Sequence, residues 1–284
     1  MNEKLYTCLI EELTDEQAFV QVYWARADHM GVAIEKMLAA ARLNGLKDPQ
    51  PREADPYDIE NLKCTVQPSP DAETFWAVDR YAFPPEPIVE LPYGIIASCI
   101  EGEQDAKHII EGYTRHKDDQ GKITISINVE RTALLPLYER LLRTRASYRV
   151  FWYLLHDHWT NSEDHFLVNE ALDSPDKILS HLHEHPLDSV MNGYVTLTAY
   201  HEEGATNLNI SDHKQIVITT YSDDIAEDYA TVLADLGYVQ ADELVTIDDR
   251  IHHWHYRHPD SLGQPDLVDH LHSIGFRDWN HKRQ

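Results

Sequence analysis

The sequence predicts an α+β fold: mixed or antiparallel sheets with helices on one face. Three observations point there. Residues 123–129, ITISINV, put Ile123, Ile125, Ile127 and Val129 on one face and Thr124, Ser126 and Asn128 on the other, the period-two mark of a half-buried strand. The helical stripes are short and well separated. Turn residues cut the last hundred positions into closely spaced strands and helices.

From the N-terminus, LYTCLI and FVQVYW read as strands, followed by a helix beginning near Asp28. Ile34, Met37, Leu38 and Ala41 form its buried stripe at i, i+3, i+4, i+7, and Gly45 stops it where a left-handed residue is easiest for glycine. Nine of the 14 prolines then fall between Pro49 and Pro92. Proline removes a backbone donor and biases its predecessor to extended geometry, so residues 48–92 read as connectors around a strand TFWAV. GIIASCI is a strand, EQDAKHIIEGYTRH (103–116) a helix, TALLPLYERLLRT a helix broken or started near Pro136, and YRVFWYLL a central strand because it is continuously apolar.

FLVNEAL follows as a strand and SPDKILSHLHEH as a helix, with Ser174 as N-cap, Pro175 at the first helical position and Pro186 as terminator. YVTLTAY, TNLNI and KQIVITTY form a three-stranded meander. The helix from Ser222 buries Ile225, Tyr229, Val232, Leu233 and Leu236 and ends at Gly237. ELVTI and IHHWHYR read as strands, and a last helix runs from Pro265 to about Ile274. Leu233–Tyr238 and Leu271–Phe276 share a pattern of helix end, glycine and aromatic, which suits either two related units or two similar caps. Polar TNSEDH and the shift in composition after Trp159 suggest two domains: 1–160, built of strand-helix units, and a smaller acidic, histidine-rich 161–284, a ferredoxin-like or related α/β sandwich.

Charge restricts function most. With 24 Lys+Arg and 49 Asp+Glu the formal charge is −25, of which residues 151–284 hold −17. Such a field repels nucleic acid and anionic lipid and draws basic partners. No apolar run approaches the ~18 residues of a membrane span, the N-terminus lacks the pattern of a signal peptide, and three scattered cysteines make no disulfide framework, so a cytoplasmic protein is expected. Cys99, inside an apolar strand, reads as a core thiol.

Nucleotide-binding and nucleophile motifs such as GxGxxG, the phosphate loop and GxSxG are absent. Fifteen of the 18 histidines follow residue 150, and His181 and His185 share a helix face, yet HLHEH is not HExxH and no HxHxDH occurs. Imidazoles in a helix's last turn also suit its dipole. Neither a catalytic residue, a metal site nor a cofactor is therefore expected, and a metal-dependent hydrolase using these clusters is the alternative reading. The leading expectation is a non-enzymatic acidic protein that occludes a basic protein partner, most concretely a bacterial immunity protein or antitoxin against a nuclease-type toxin. Its contact residues are expected to be Asp223, Asp224, Glu227 and Asp228, with Tyr221 and Trp254 as aromatic anchors.

Overall fold

A computed structural model of the chain describes residues 3–13, 18–62, 64–70, 72–82, 90–100, 109–156, 164–247, 252–258 and 260–279. The protein is α+β, with two antiparallel sheets and, among the described residues, five helices. The chain divides into two compact units. One comprises Met1–Pro85, Ala97–Lys107 and Arg250–Trp254; the other Glu86–Ile96, His108–Asp249 and His255–Gln284.

In the first unit β1 (Lys4–Leu13) and β2 (Ala18–Ala27) pair antiparallel from Lys4↔Ala27 to Leu13↔Ala18. Helix α1 (Met30–Leu43) lays Ala33, Met37, Ala40 and Ala41 against Cys8, Ile10, Tyr23 and Trp76. The predicted stripe is rotated slightly: small residues sit at the centre of the contact, while Ile34 and Leu38 are only partly buried at its edges. The proline-rich stretch is more regular than expected. It forms β3 (Gln50–Pro56), β4 (Val66–Pro68), β5 (Thr74–Ala77) and β6 (Tyr81–Ala82). Pro51 and Pro56 lie on β3, which among the described residues pairs with β1 alone, and an edge strand is where missing amide donors are tolerated. Strand β7 (Ile95–Ile100) adds to β6. It contains Cys99, whose side chain lies outside the described residues.

The second unit is built on one eight-stranded sheet, and its strands come from both sides of residue 160. They are β8 (Gly112–Lys117), β9 (Ile123–Asn128), β10 (Val150–Leu155), β11 (His165–Asn169), β12 (Val195–His201), β13 (Thr206–Ile210), β14 (Ile216–Thr220) and the short β16 (Arg277–Asp278). The spatial order is β16-β11-β10-β12-β13-β14-β9-β8, antiparallel throughout. β10 pairs with β12 and β9 with β14, so the expected division at residue 160 is not the line along which the chain separates. Most of the predicted boundary segment TNSEDH lies outside the described residues.

Helices α2 (Leu134–Leu142), α3 (Pro175–Glu184), α4 (Asp223–Asp235) and α5 (Gln264–Ser273) pack on one face of this sheet. The core joins Leu137, Tyr138 and Leu141 of α2, Ile178 and Leu182 of α3, Ile225, Tyr229 and Leu233 of α4, and Leu267 and Leu271 of α5 to the inward strand residues. β15 (His252–His255) completes the first sheet beside β7.

Several local expectations change. Residues 112–117 are strand β8 rather than the end of a helix, because Tyr113 and Arg115 pair with Ile127 and Ile125 in the sheet. ELVTI forms no strand; Tyr113 instead bridges to Gln240. Ser174 sits at the N-cap of α3 without a side-chain cap bond, whereas Ser222 does cap α4, accepting from the Ile225 amide at 3.3 Å. The echo at Gly237 and Gly275 is shared cap chemistry. Both glycines are left-handed, with φ +87° and +96°, and the next amide donates back into the helix, Tyr238 to Leu233 and Phe276 to Leu271, each at 3.0 Å. Gly45 ends α1 in the same way, with Leu46 donating to Ala41.

Candidate functional site

Strand β10 carries the decisive departure from expectation. Its continuous apolar run implied cover on both faces. Phe151, Tyr153 and Leu155 do enter the helix-covered core, but Trp152 and Leu154 point the other way. On that open face Trp152 lies opposite Val168 of β11 and Thr198 of β12, diagonal to Phe166 and Tyr200. The rings form a continuous row. Tyr200 stacks on Trp152 at 6.0 Å between centroids and 23° between planes, Trp152 meets Phe166 at 5.4 Å, and Phe166 meets Trp279 edge-on at 6.1 Å. The Trp279 amide donates to the Phe166 carbonyl at 2.8 Å, which fixes the end of the row.

These rings line a groove of about 520 Å³, closed at its rim by Arg149, Glu170 and Glu202. Arg149 stands between the carboxylates, 3.4 Å from Glu202 and 3.8 Å from Glu170, and Arg277 reaches Glu170 at 3.1 Å. A groove of that size, with four aromatic rings and three charged side chains among its eight lining residues, has the make-up of a binding site. Sequence reading missed it because the aromatics come from three separated strands and the segment after Phe276. The available signal was Trp152, a large amphipathic ring at an outward position of an otherwise core strand.

The expected contact residues divide into two groups. Asp223, Asp224, Glu227 and Asp228 are all exposed in the first two turns of α4, directly after exposed Tyr221. Three of them already hold cations of this chain: Asp223 bonds Lys117 at 2.8 Å, Glu227 bonds Arg115 at 2.7 Å and Asp228 bonds Arg145 at 2.6 Å. Lys117 therefore holds the Asp223 carboxyl below its usual pKa. These bonds join α4 to β8 and to the chain after α2, contacts that spacing alone did not reveal. Trp254 belongs to the other unit, where it packs edge-on against Tyr81 at 4.7 Å.

Two clusters of histidines stand out among the described residues of the second unit. In one, His181 is buried, shares a 2.8 Å hydrogen bond with the Tyr153 hydroxyl, and lies 5.1 Å from the His185 ring, which is 4.8 Å from His270. Burial first, then the charges of His185 and His270, pull the His181 pKa down to about 4. It is therefore neutral at pH 7 and does not serve the helix dipole as a cation.

The other group surrounds the β13–β14 turn. His156 and Asp212 both bond Thr196 Oγ1, at 2.8 and 3.0 Å, and stand 3.9 Å apart. His213 lies 3.9 Å from Asp212, and its ring is 4.8 Å from that of His255, which is held by the Gly193 carbonyl at 2.8 Å. Lys214 ends the turn with left-handed φ of 57°, fully buried, its Nζ donating to the Val195 carbonyl at 3.1 Å. Burial lowers its pKa to about 7, Asp212 opposing the shift. Gly94 and Gly193 pass so closely beside it that a Cβ on Gly193 would stand 2.0 Å from the Gly94 carbonyl oxygen.

No protein-family model, curated protein or solved structure matches this chain. Among the described residues, no helix is long and apolar enough to cross a membrane.

Proposed function

We propose that this chain is a non-enzymatic binding protein that occludes a basic protein partner, most concretely a cytoplasmic bacterial immunity protein or antitoxin that neutralises a nuclease-type toxin. The observation that carries the reading is the open aromatic groove, in a chain whose formal charge is −25. Nuclease-type proteins carry basic clefts, and a field of opposite sign speeds their approach. Large rings without helical cover supply the short-range anchoring that a field alone lacks. Trp152 and Tyr200 take that role in place of Trp254, while Tyr221 and the α4 carboxylates form a steering surface.

The test is capture from native lysate at low salt, using the full chain and a variant carrying Trp152→Ala and Tyr200→Ala. A basic protein held by the first and lost with the second supports the reading. If the only proteins held are acidic or neutral ones, or if the pair of substitutions leaves capture unchanged, the reading fails.

A metal-dependent hydrolase is the second reading, and the approach of the His213 and His255 rings favours it, since imidazole is a common ligand of divalent transition metals. Metal analysis of untagged protein separates the two. About one equivalent of zinc, iron or manganese, lost on His213→Ala or His255→Ala, would establish this second reading over the first.

A further inference from the structure

We infer that the Tyr200–Trp152–Phe166 row is a receptor for an arginine side chain of the partner, and that Arg149 is the internal guanidinium that occupies its rim in the free protein. This deepens the proposed function and rests on its reading of a basic partner.

Three features of the groove lead there. The planes of Trp152 and Tyr200 are nearly parallel, at 23° with centroids 6.0 Å apart, so the row offers flat π faces of the kind on which a planar guanidinium stacks. Glu170 and Glu202 stand at the edge of that surface and offer the carboxylates a guanidinium fork accepts. Arg149 already lies between them, yet at 3.4 and 3.8 Å it is beyond close hydrogen-bond distance, and its side chain is 57% exposed. A loosely held, solvated guanidinium in that position is readily displaced, because exposed ion pairs hold little free energy.

The competing occupant is a second copy of this chain, since an uncovered sheet face also suits self-association. Two chains of −25 repel each other over the range in which a basic partner is attracted. Lysine fits less well than arginine: its ammonium is a compact, strongly hydrated charge without the planar face that stacks.

The experiment is calorimetric titration of the full chain with three short glycine-spaced peptides, carrying arginine, lysine or neutral citrulline at the same positions. The arginine peptide is expected to bind about tenfold more tightly than the lysine peptide, and the citrulline peptide more weakly than either. Arg149→Met should strengthen arginine binding several-fold by releasing Glu202, while Glu170 keeps its contact with Arg277 at 3.1 Å. Trp152→Leu, which keeps apolar bulk but removes the π face, should abolish the preference for arginine over lysine. Equal affinity for the arginine and lysine peptides, or no effect of Trp152→Leu, would overturn the inference while leaving a basic partner in place. Concentration-dependent dimerisation lost on Trp152→Leu would overturn it in favour of a second copy. Arginine-selective binding with no basic protein captured from lysate would uphold the receptor and overturn the proposed function instead, so the two claims fail separately.

Discussion

His181 and Lys214 are the residues whose surroundings make the clearest demands on pH. The folded His181 imidazole has its pKa lowered to about 4, against 6.5 for the ordinary side chain, so between those values the unfolded chain binds the additional proton. Stability from this site is complete above pH 6.5 and is lost as pH falls toward 4. Each tenfold change in proton affinity is worth about 1.4 kcal/mol, so the loss is on the order of 3 kcal/mol in all. Denaturant melts at pH 7.0, 5.5 and 4.5 should show the decline, and His181→Gln should flatten it. Tyr153, His185 and His270 surround the ring, and a decline unchanged in that variant would show that His181 does not carry it. Lys214 behaves in the same sense at higher pH. Its amine, lowered to about 7, leaves the unfolded chain with more bound proton between pH 7 and 10.5, so stability rises over that interval. The slope approaches ~1 kcal/mol per pH unit between pH 7.5 and 9 and should vanish in Lys214→Met. A slope that survives the substitution would show that the amine is solvated in the folded protein.

At the scale of elements, α4 has two independent jobs. Its inner face, Ile225, Tyr229 and Leu233, joins the core of the sheet, while its outer carboxylates hold Lys117, Arg115 and Arg145. Exposed ion pairs contribute little to folding, and among these only Asp228 holds a mostly buried partner, Arg145 at 14% exposure, so changing Asp223, Asp224, Glu227 and Asp228 together to Asn or Gln should lower the melting temperature by only a few degrees. The same change should slow association with a basic partner, and the loss should shrink as salt rises. Matched neutralisation of Asp48, Glu53, Asp55 and Asp58 in the first unit is the control, with a smaller effect expected. Stopped-flow association at two salt concentrations checks the pair. Equal slowing by both sets would mean that only total charge matters. β3 shows the complementary case of an element defined by what it avoids: Pro51 and Pro56 deny a further strand the full set of amides on an exposed edge.

For the whole molecule, the course of the chain through the second sheet has a direct consequence. β10 lies between β11 and β12, and β9 lies between β14 and β8, so a fragment beginning at residue 161 loses β8, β9, β10 and helix α2. Its remaining sheet would be cut at β12 and β14, exposing Leu197, Ile216 and Ile218 and leaving the amides of both strands unpaired on one side. Residues 161–284 expressed alone are therefore expected to be unfolded or aggregated, with no cooperative transition by circular dichroism. A cooperative melt from that fragment would show that the second sheet does not need its first strands.

The features legible in the sequence were local and periodic. Alternation in ITISINV, the stripe of α4 and the glycines that close α1, α4 and α5 are all set by neighbours within a few residues, where geometry follows from backbone sterics and a single buried face. The antiparallel α+β class followed from the same signals. Pairing between distant segments was beyond their reach, because the partner of a strand is chosen by register and shape over the whole sheet. That is why residue 160 read as a boundary although β9 and β10 pair across it, and why GYTRH read as a helix although β9 draws it into the sheet. The groove belongs to the same class. Trp152, Phe166, Tyr200 and Trp279 meet only once β10, β11, β12 and β16 are side by side, and an apolar run cannot declare whether its second face is covered by helices or left open. The packing settles it: among the described residues of this unit, all four helices occupy one face of the sheet and none lies over the aromatic row.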